Sequence, residues 1–219
     1  MSNIKKETKE EVISIKVTMV GDCGVGKTCI VHRLIRNDYL PSSKSTVGAN
    51  YSKYELKLDN KKIVLDIWDT AGQEKFRSMG RHFYQNSNIV VIVYDITKKE
   101  TFDNIKNFWY NDIKEKAEKY KVIGIVGNKY DLFDKEGEYI IEDNIVKEFV
   151  DQIKNDKDSK VVNMYVSALQ GYNIKLLFSE LVKQYLEKEF NILIQNNKSE
   201  RGNSVKLGKQ KKKKKKCCG

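Results

Sequence analysis

The sequence lacks any long hydrophobic run. Its longest strongly apolar stretch is Ile89 to Tyr94, whereas a membrane-spanning helix needs about 20 residues. The opening stretch, MSNIKKETKEE, is polar and charged and has no secretory-signal character. Residue 2 is serine, so the glycine required for N-myristoylation is missing. Cysteine is sparse: Cys23, Cys29, Cys217 and Cys218 give no disulfide framework, and a reduced, cytosolic protein is expected. Of the two histidines, His32 and His82, neither has a second histidine or a cysteine at metal-ligand spacing. Both read as ordinary surface or partly buried residues. Internal repeats are absent.

Excess charge is also missing from most of the chain. The net charge is +11, but residues 190–219 hold ten Lys or Arg and one Glu, so +9 belongs to that tail. A nucleic-acid-binding domain more often shows its basic excess on a folded surface. No nucleic-acid partner is expected for the folded body.

What is present is alternation of strand and helix signals over a length that suits one domain with a substantial core. SIKVTMV (14–20) reads as a strand, and TCIVHRLIRN after Lys27 is apolar at helical spacing. YSKYELKL (51–58) alternates like a half-buried strand; Asp59-Asn60 turns the chain, and KIVLDIW (62–68) pairs back as a hairpin. IVVIVYD (89–95) and VIGIVG (122–127) are near-continuous apolar runs, as parallel strands buried on both faces require. Helices are expected over 101–119, opened by Thr101, over about 143–154, and over about 173–189, with a strand at 161–166 and a polar loop at 155–160. The expectation is a single α/β domain: a mostly parallel six-stranded sheet with helices on both faces and one antiparallel edge hairpin. The chain divides into an N-terminal extension (1–12), this domain (13–189) and a flexible basic tail (190–219).

Three stretches carry chemistry. GDCGVGKT (21–28) has the form G-x-x-x-x-G-K-[ST] between a strand and a helix. Its glycines let the backbone wrap a phosphate chain with N–H groups turned inward, helped by the helix N-terminus. Lys27 places a cation beside the β- and γ-phosphates, and the Thr28 hydroxyl suits Mg²⁺. Many ATPases, kinases and GTPases share such a loop. WDTAGQE (68–74) puts Asp69 at a strand end, suited to a water-mediated Mg²⁺ contact, and Gly72 where its N–H can reach a γ-phosphate. NKYD (128–131) decides the base. Guanine presents an N1–H and a 2-amino group on one edge, and the Asp131 carboxylate can accept both; adenine would leave it unpaired. Asn128 can bond the other edge of the purine, and the Lys129 stem can lie over the ring.

Together with STVGANY (45–51) and VSAL (166–169), these stretches resemble, in order, the five guanine-nucleotide motifs of the Ras superfamily of small GTPases, over roughly residues 13–189. WDTAGQEKFR, VYDIT and the adjacent terminal cysteines make the chain most similar to the Rab family. The resemblance implies a single P-loop domain, GTP and GDP as ligands with Mg²⁺, and slow GTP hydrolysis. It implies that Gly21, Asp22, Cys23, Gly24, Val25, Gly26, Lys27, Thr28 and Cys29 surround the phosphates. Thr28, Thr46 and Asp69 serve the metal. Tyr39 packs on the guanine, and Ser167, Ala168 and Leu169 complete the base site, with the Ala168 N–H at the guanine oxygen. Gln73, with Lys27, is the catalytic residue and orients the attacking water. Tyr51, in place of the usual phenylalanine, meets effectors together with Trp68 and Phe83. Exchange factors, activating proteins, effectors, a prenylation escort and a GDP-dissociation inhibitor are the implied partners, on the cytoplasmic face of endomembranes and cycling with the cytosol.

VGANY, SAL and FYQNS (83–87) depart from the usual Rab forms, which leaves the subfamily open. A Ras- or Rho-like signalling GTPase is the alternative, and a P-loop ATPase or nucleotide kinase a more distant one that NKYD opposes. A side chain at Cys23 crowds the γ-phosphate region and slows hydrolysis, or is a tolerated small residue. KQKKKKKKCCG (209–219) reads as a solvated lysine run, a nuclear or nucleic-acid tail, or the electrostatic half of a membrane anchor. Stable anchoring takes two signals, and two cysteines beside six lysines supply both. The ending is not C-a-a-X, but it resembles the double-cysteine ends that Rab proteins use for geranylgeranylation, so Cys217 and Cys218 are the expected lipidation sites.

Overall fold

The computed structural model describes residues 12–41, 45–58, 61–72, 83–117, 120–133, 141–156 and 159–207. Six strands form one sheet: β1 (Val12–Val20), β2 (Ala49–Leu58), β3 (Lys61–Thr70), β4 (Ile89–Asp95), β5 (Val122–Asn128) and β6 (Lys160–Tyr165). Their order is β2-β3-β1-β4-β5-β6. All neighbours are parallel except β2 and β3, which pair antiparallel with Tyr51 opposite Trp68. This is the mixed sheet with an edge hairpin that the strand patterns imply. Every residue of β4 and β5 is buried, whereas β2, at the edge, alternates.

Helix α1 (Lys27–Arg36) follows the glycine loop. Helix α2 (Lys99–Asn104) passes into a π-helical segment, Ile105–Trp109, and then α3 (Tyr110–Lys116). Helix α4 (Asp143–Asp156) precedes β6, and α5 runs Ile174–Leu207. The two faces of the sheet are covered by different helices. Val90, Ile92 and Tyr94 of β4 pack with Phe102, Ile105 and Ile113 and with Val146 and Phe149 of α4. On the opposite face, a Cβ on Gly124 would meet both Val91 and Leu181 of α5. Edge-to-face rings, Tyr94 on Phe102 and Phe102 on Phe149, anchor the first face.

Three elements differ from expectation. The helix expected to open at Thr101 starts at Lys99. The Thr101 hydroxyl lies inside it, accepting from the Asp95 N–H and donating to the Lys98 carbonyl, and so staples the helix to β4. Helix α4 runs on through Asp156, leaving a shorter connection before β6 than 155–160. The helix expected to end near Glu189 continues to Leu207. The Asp59-Asn60 turn lies outside the described residues. Among the described residues no helix is long and apolar enough to cross a membrane.

Candidate nucleotide-binding site

A cavity of about 610 Å³ opens at the C-terminal ends of the strands, lined from the glycine loop at one end to Asp131, Ala168 and Leu169 at the other. Such an end-of-strand crevice is where open α/β sheets take ligands. β1 delivers the loop to it, and α1 begins directly from it.

The loop is closely packed. Gly26 has φ +96, and a Cβ there would lie 2.2 Å from the Asn128 amide nitrogen. A Cβ on Gly72 would lie 2.4 Å from the Asp22 carbonyl. Both positions therefore exclude any side chain. Lys27 is buried, and its Nζ donates to the Gly21 and Asp22 carbonyls at 2.7 and 2.8 Å. Burial lowers its pKa to about 8, against the pull of Asp69, Cys23 and Asp22. A buried ammonium held by neutral carbonyls lacks a full counter-charge, which a phosphate would supply.

Next to Lys27, three oxygen side chains meet. Thr28 Oγ1 donates to Asp69 Oδ2 at 2.7 Å and lies 3.0 Å from Thr46 Oγ1. Asp69 is buried, burial raises its pKa, and its Oδ1 has no hydrogen-bond partner among the described residues. Two hydroxyls and a carboxylate with an orphaned oxygen are the hard, oxygen-only donors that Mg²⁺ prefers. The Thr46 segment is tied to the end of β3 by a 2.8 Å bond from the Ala71 N–H to the Gly48 carbonyl. Cys23 is exposed at the loop, with its Sγ 3.6 Å from Ser45 Oγ.

At the base end, one side chain joins three motifs. Asn128 Nδ2 donates to the Val25 carbonyl at 2.8 Å, and its Oδ1 accepts the Ala168 N–H at 3.1 Å. That N–H, expected at the guanine oxygen, thus has a partner within the protein. The Ser167 hydroxyl donates to the Asp131 carboxylate and accepts the Gln170 N–H. Lys129, at φ +69, pairs its ammonium with the buried Asp95. Tyr130 stacks on Phe133, Tyr165 and Tyr172 beneath this loop. Tyr39, Cys29 and Leu169 line the cavity as expected. Gln73, Cys217 and Cys218 lie outside the described residues.

Tyr51 and Trp68 meet across β2 and β3 with ring centroids 5.5 Å apart. Among the described residues no ring pairing joins Phe83 to them; its carbonyl accepts from Thr18 and Ser87. Asp66, which sequence reasoning missed, holds this surface. It accepts from Tyr51 and Ser14, and both bonds lower its pKa. Lys16 sits over Trp68 at 5.1 Å. Asp95 and Arg33 were also missed. Asp95 lies within VYDIT, a stretch that marks the resemblance without assigning the carboxylate a role, and Arg33 is a charged residue on a helix outside the motifs.

The comparisons agree with this geometry. Residues 16–187 match the Ras family model. The chain is 35% identical over 199 residues to Ras-related protein Rab-8B of Bos taurus, covering 91% of each chain. It is 37% identical over 177 residues to Ras-related protein Rab-26 of Mus musculus, covering 80% of this chain and 64% of that one. It is 35% identical over 172 residues to the GTP-binding protein YPT1 of Saccharomyces cerevisiae, covering 78% and 79%. A match spanning most of the chain, on a sheet of this topology with this cavity, establishes that the protein belongs to the Ras family of small GTPases and is most like its Rab members.

Proposed function

We propose that this chain is a Rab-like switch that binds GTP and GDP in the strand-end cavity, hydrolyses GTP slowly and regulates vesicle traffic from the cytoplasmic face of endomembranes. The observation that carries the reading is a single cavity with a buried lysine and an oxygen cluster at one end and the Asn128–Asp131 loop at the other. Lys27 neutralises the β- and γ-phosphates, and the loop amides hold them. Thr28 and Thr46 would hold Mg²⁺ directly and Asp69 through water. Held there, Mg²⁺ would supply positive charge against the phosphate charge that builds during transfer to water. Gln73 orients that water. Asp131 reads the guanine edge and Tyr39 covers the ring. The γ-phosphate orders the segments bearing Thr46 and Gly72, and its loss releases them. Effectors read that change at Tyr51, Trp68 and Phe83. Exchange factors and activating proteins set the cycle. An escort and a GDP-dissociation inhibitor handle lipid on Cys217 and Cys218, at the end of a tail counted from residue 190.

Asp131→Asn tests the base reading. The amide can donate to the 2-oxo group of xanthine, so the variant should lose GTP affinity by orders of magnitude and gain affinity for xanthosine triphosphate. Equal affinity of the wild type for ATP and GTP would end this reading. Gln73→Leu tests the chemistry: hydrolysis stimulated by an activating protein should fall by at least about a thousandfold, and equal stimulated rates would remove Gln73 from its role.

A further inference from the structure

Tyr130 stands between Lys129 and Asp131, yet the base chemistry of that loop makes no use of its ring. Three other rings stack on it. Tyr172 lies 5.4 Å away at 14°, Tyr165 5.6 Å away at 24°, and Phe133 5.1 Å away at 26°. Near-parallel stacking fixes ring orientation as well as burying area. The rings come from different places: Phe133 closes the short 3-10 turn after Lys129, Tyr165 ends β6, and Tyr172 lies in the turn before α5.

The partners are themselves held. The Tyr165 hydroxyl donates to Asp143 of α4 at 3.1 Å, and the Tyr165 carbonyl accepts Asn173 Nδ2 at 3.0 Å. The turn bearing Tyr172 is closed by the Ser167 N–H, which donates to the Tyr172 carbonyl at 3.1 Å. Arg33 ties the same turn to α1 through the Ala168 and Leu169 carbonyls. The Ser167 hydroxyl in turn donates to the Asp131 carboxylate. A closed circuit results: the Tyr130 ring to Tyr172, the Tyr172 carbonyl to Ser167, the Ser167 hydroxyl to Asp131, and one peptide link back to Tyr130.

The loop needs such a brace. Lys129 sits at φ +69, a region that residues with a Cβ rarely occupy. One hydrogen bond does not fix the plane of a carboxylate, and two parallel N–H···O bonds to a guanine edge require that plane fixed. Nor is the stack built for the core: Phe133 and Tyr172 stay 41% and 47% exposed. We propose that Tyr130 is a positioning residue for base recognition. The stack braces its loop so that the Asp131 carboxylate meets the N1–H and the 2-amino group of guanine together. This rests on the reading that Asp131 takes that edge.

The test measures affinity of the full chain for GTP and for inosine triphosphate, with thermal melting in parallel. Inosine keeps the N1–H and lacks the 2-amino group, so the ratio of the two affinities reads the second of the two bonds. The wild type should favour GTP by about tenfold or more. Tyr130→Ala should cut that ratio by about three- to tenfold, and Tyr130→Phe, which keeps the ring, should hold it within about twofold. A general loosening of the fold would weaken both nucleotides alike, because they share ribose and phosphates, and would leave the ratio unchanged. On an Asp131→Ala background, Tyr130→Ala should no longer alter the ratio. An unchanged ratio in Tyr130→Ala, or a loss in Tyr130→Phe as large as in Tyr130→Ala, would overturn the brace. Should Tyr130→Ala fail to fold, Tyr172→Ala decides, since that ring is half exposed: a lowered ratio supports the brace and an unchanged one overturns it. A wild type that binds GTP and inosine triphosphate equally would instead sink the Asp131 reading itself.

Discussion

At the residue scale, Lys27 gives the site a pH signature. Its pKa, ordinarily 10.5, is lowered to about 8 chiefly by burial. Between those values the unfolded chain binds more protons than the nucleotide-free fold. That fold therefore gains stability as pH rises through the window, and the cost of the buried charge is fully present below it. A phosphate beside the ammonium reverses the shift. Nucleotide binding should take up a proton above about pH 8, and affinity should fall by up to about tenfold per pH unit there. Calorimetry in buffers of different ionisation enthalpy checks this. Up to one proton should be absorbed at about pH 9 and almost none at about pH 6.5. Buffer-independent heats at the higher pH would mean that Lys27 is already charged in the free protein. Lys27, Thr28, Asp69 and Asp131 were legible in the sequence because their chemistry imposes fixed spacing. Arg33 was not: an arginine on an amphipathic helix looks like part of a solvated face until the fold brings distant carbonyls to it.

At the scale of elements, the π-helical segment between α2 and α3 governs the phosphate loop. Asn104 Nδ2 and Trp109 Nε1 donate to the two carboxylate oxygens of Asp22 at 2.7 and 2.8 Å. Five residues apart on a regular α-helix, these side chains would diverge by about 140°. The wider π turn brings them to one side, and such turns are common at functional sites. Asp22 in turn gives its carbonyl to Lys27. Trp109→Phe keeps the ring in the core and removes the donor. It should speed release of a fluorescent GDP analogue by about three- to tenfold with little change in melting temperature. Paired with Asp22→Asn, the effects should be less than additive. Strict additivity would show that Trp109 acts on the fold alone. The strands were easier to read than this helix. Continuous apolar runs can only be doubly buried strands in an alternating chain, and β4 and β5 are such strands. No residue type marks a π turn, and Thr101, which has the composition of a helix cap, serves as an internal staple.

At the scale of the whole molecule, charge and chemistry separate along the chain. The tail from residue 190 holds +9 of the +11, and six consecutive lysines, Lys211–Lys216, precede Cys217 and Cys218. Both cysteines are proposed to be prenylated, with the lysines reinforcing contact with anionic lipid. The two contributions scale differently. Burying about 20 carbons per chain at ~0.8 kcal/mol per CH₂ exceeds the roughly 1 kcal/mol that each nearby lysine gains from an anionic leaflet. Cys217→Ser with Cys218→Ser should therefore abolish stable membrane association at every salt concentration. Replacing the six lysines with glutamine should leave most binding intact but reduce the preference for anionic over neutral vesicles. High salt should reproduce that loss in the wild type, because the attraction is screened over ~8 Å at physiological ionic strength. Vesicle flotation of the prenylated protein at two salt concentrations measures both effects. A double-serine protein that still floats with the vesicles would place the anchor elsewhere. Native protein whose mass shows no lipid on either cysteine would leave the lysine run as a nuclear or nucleic-acid tail.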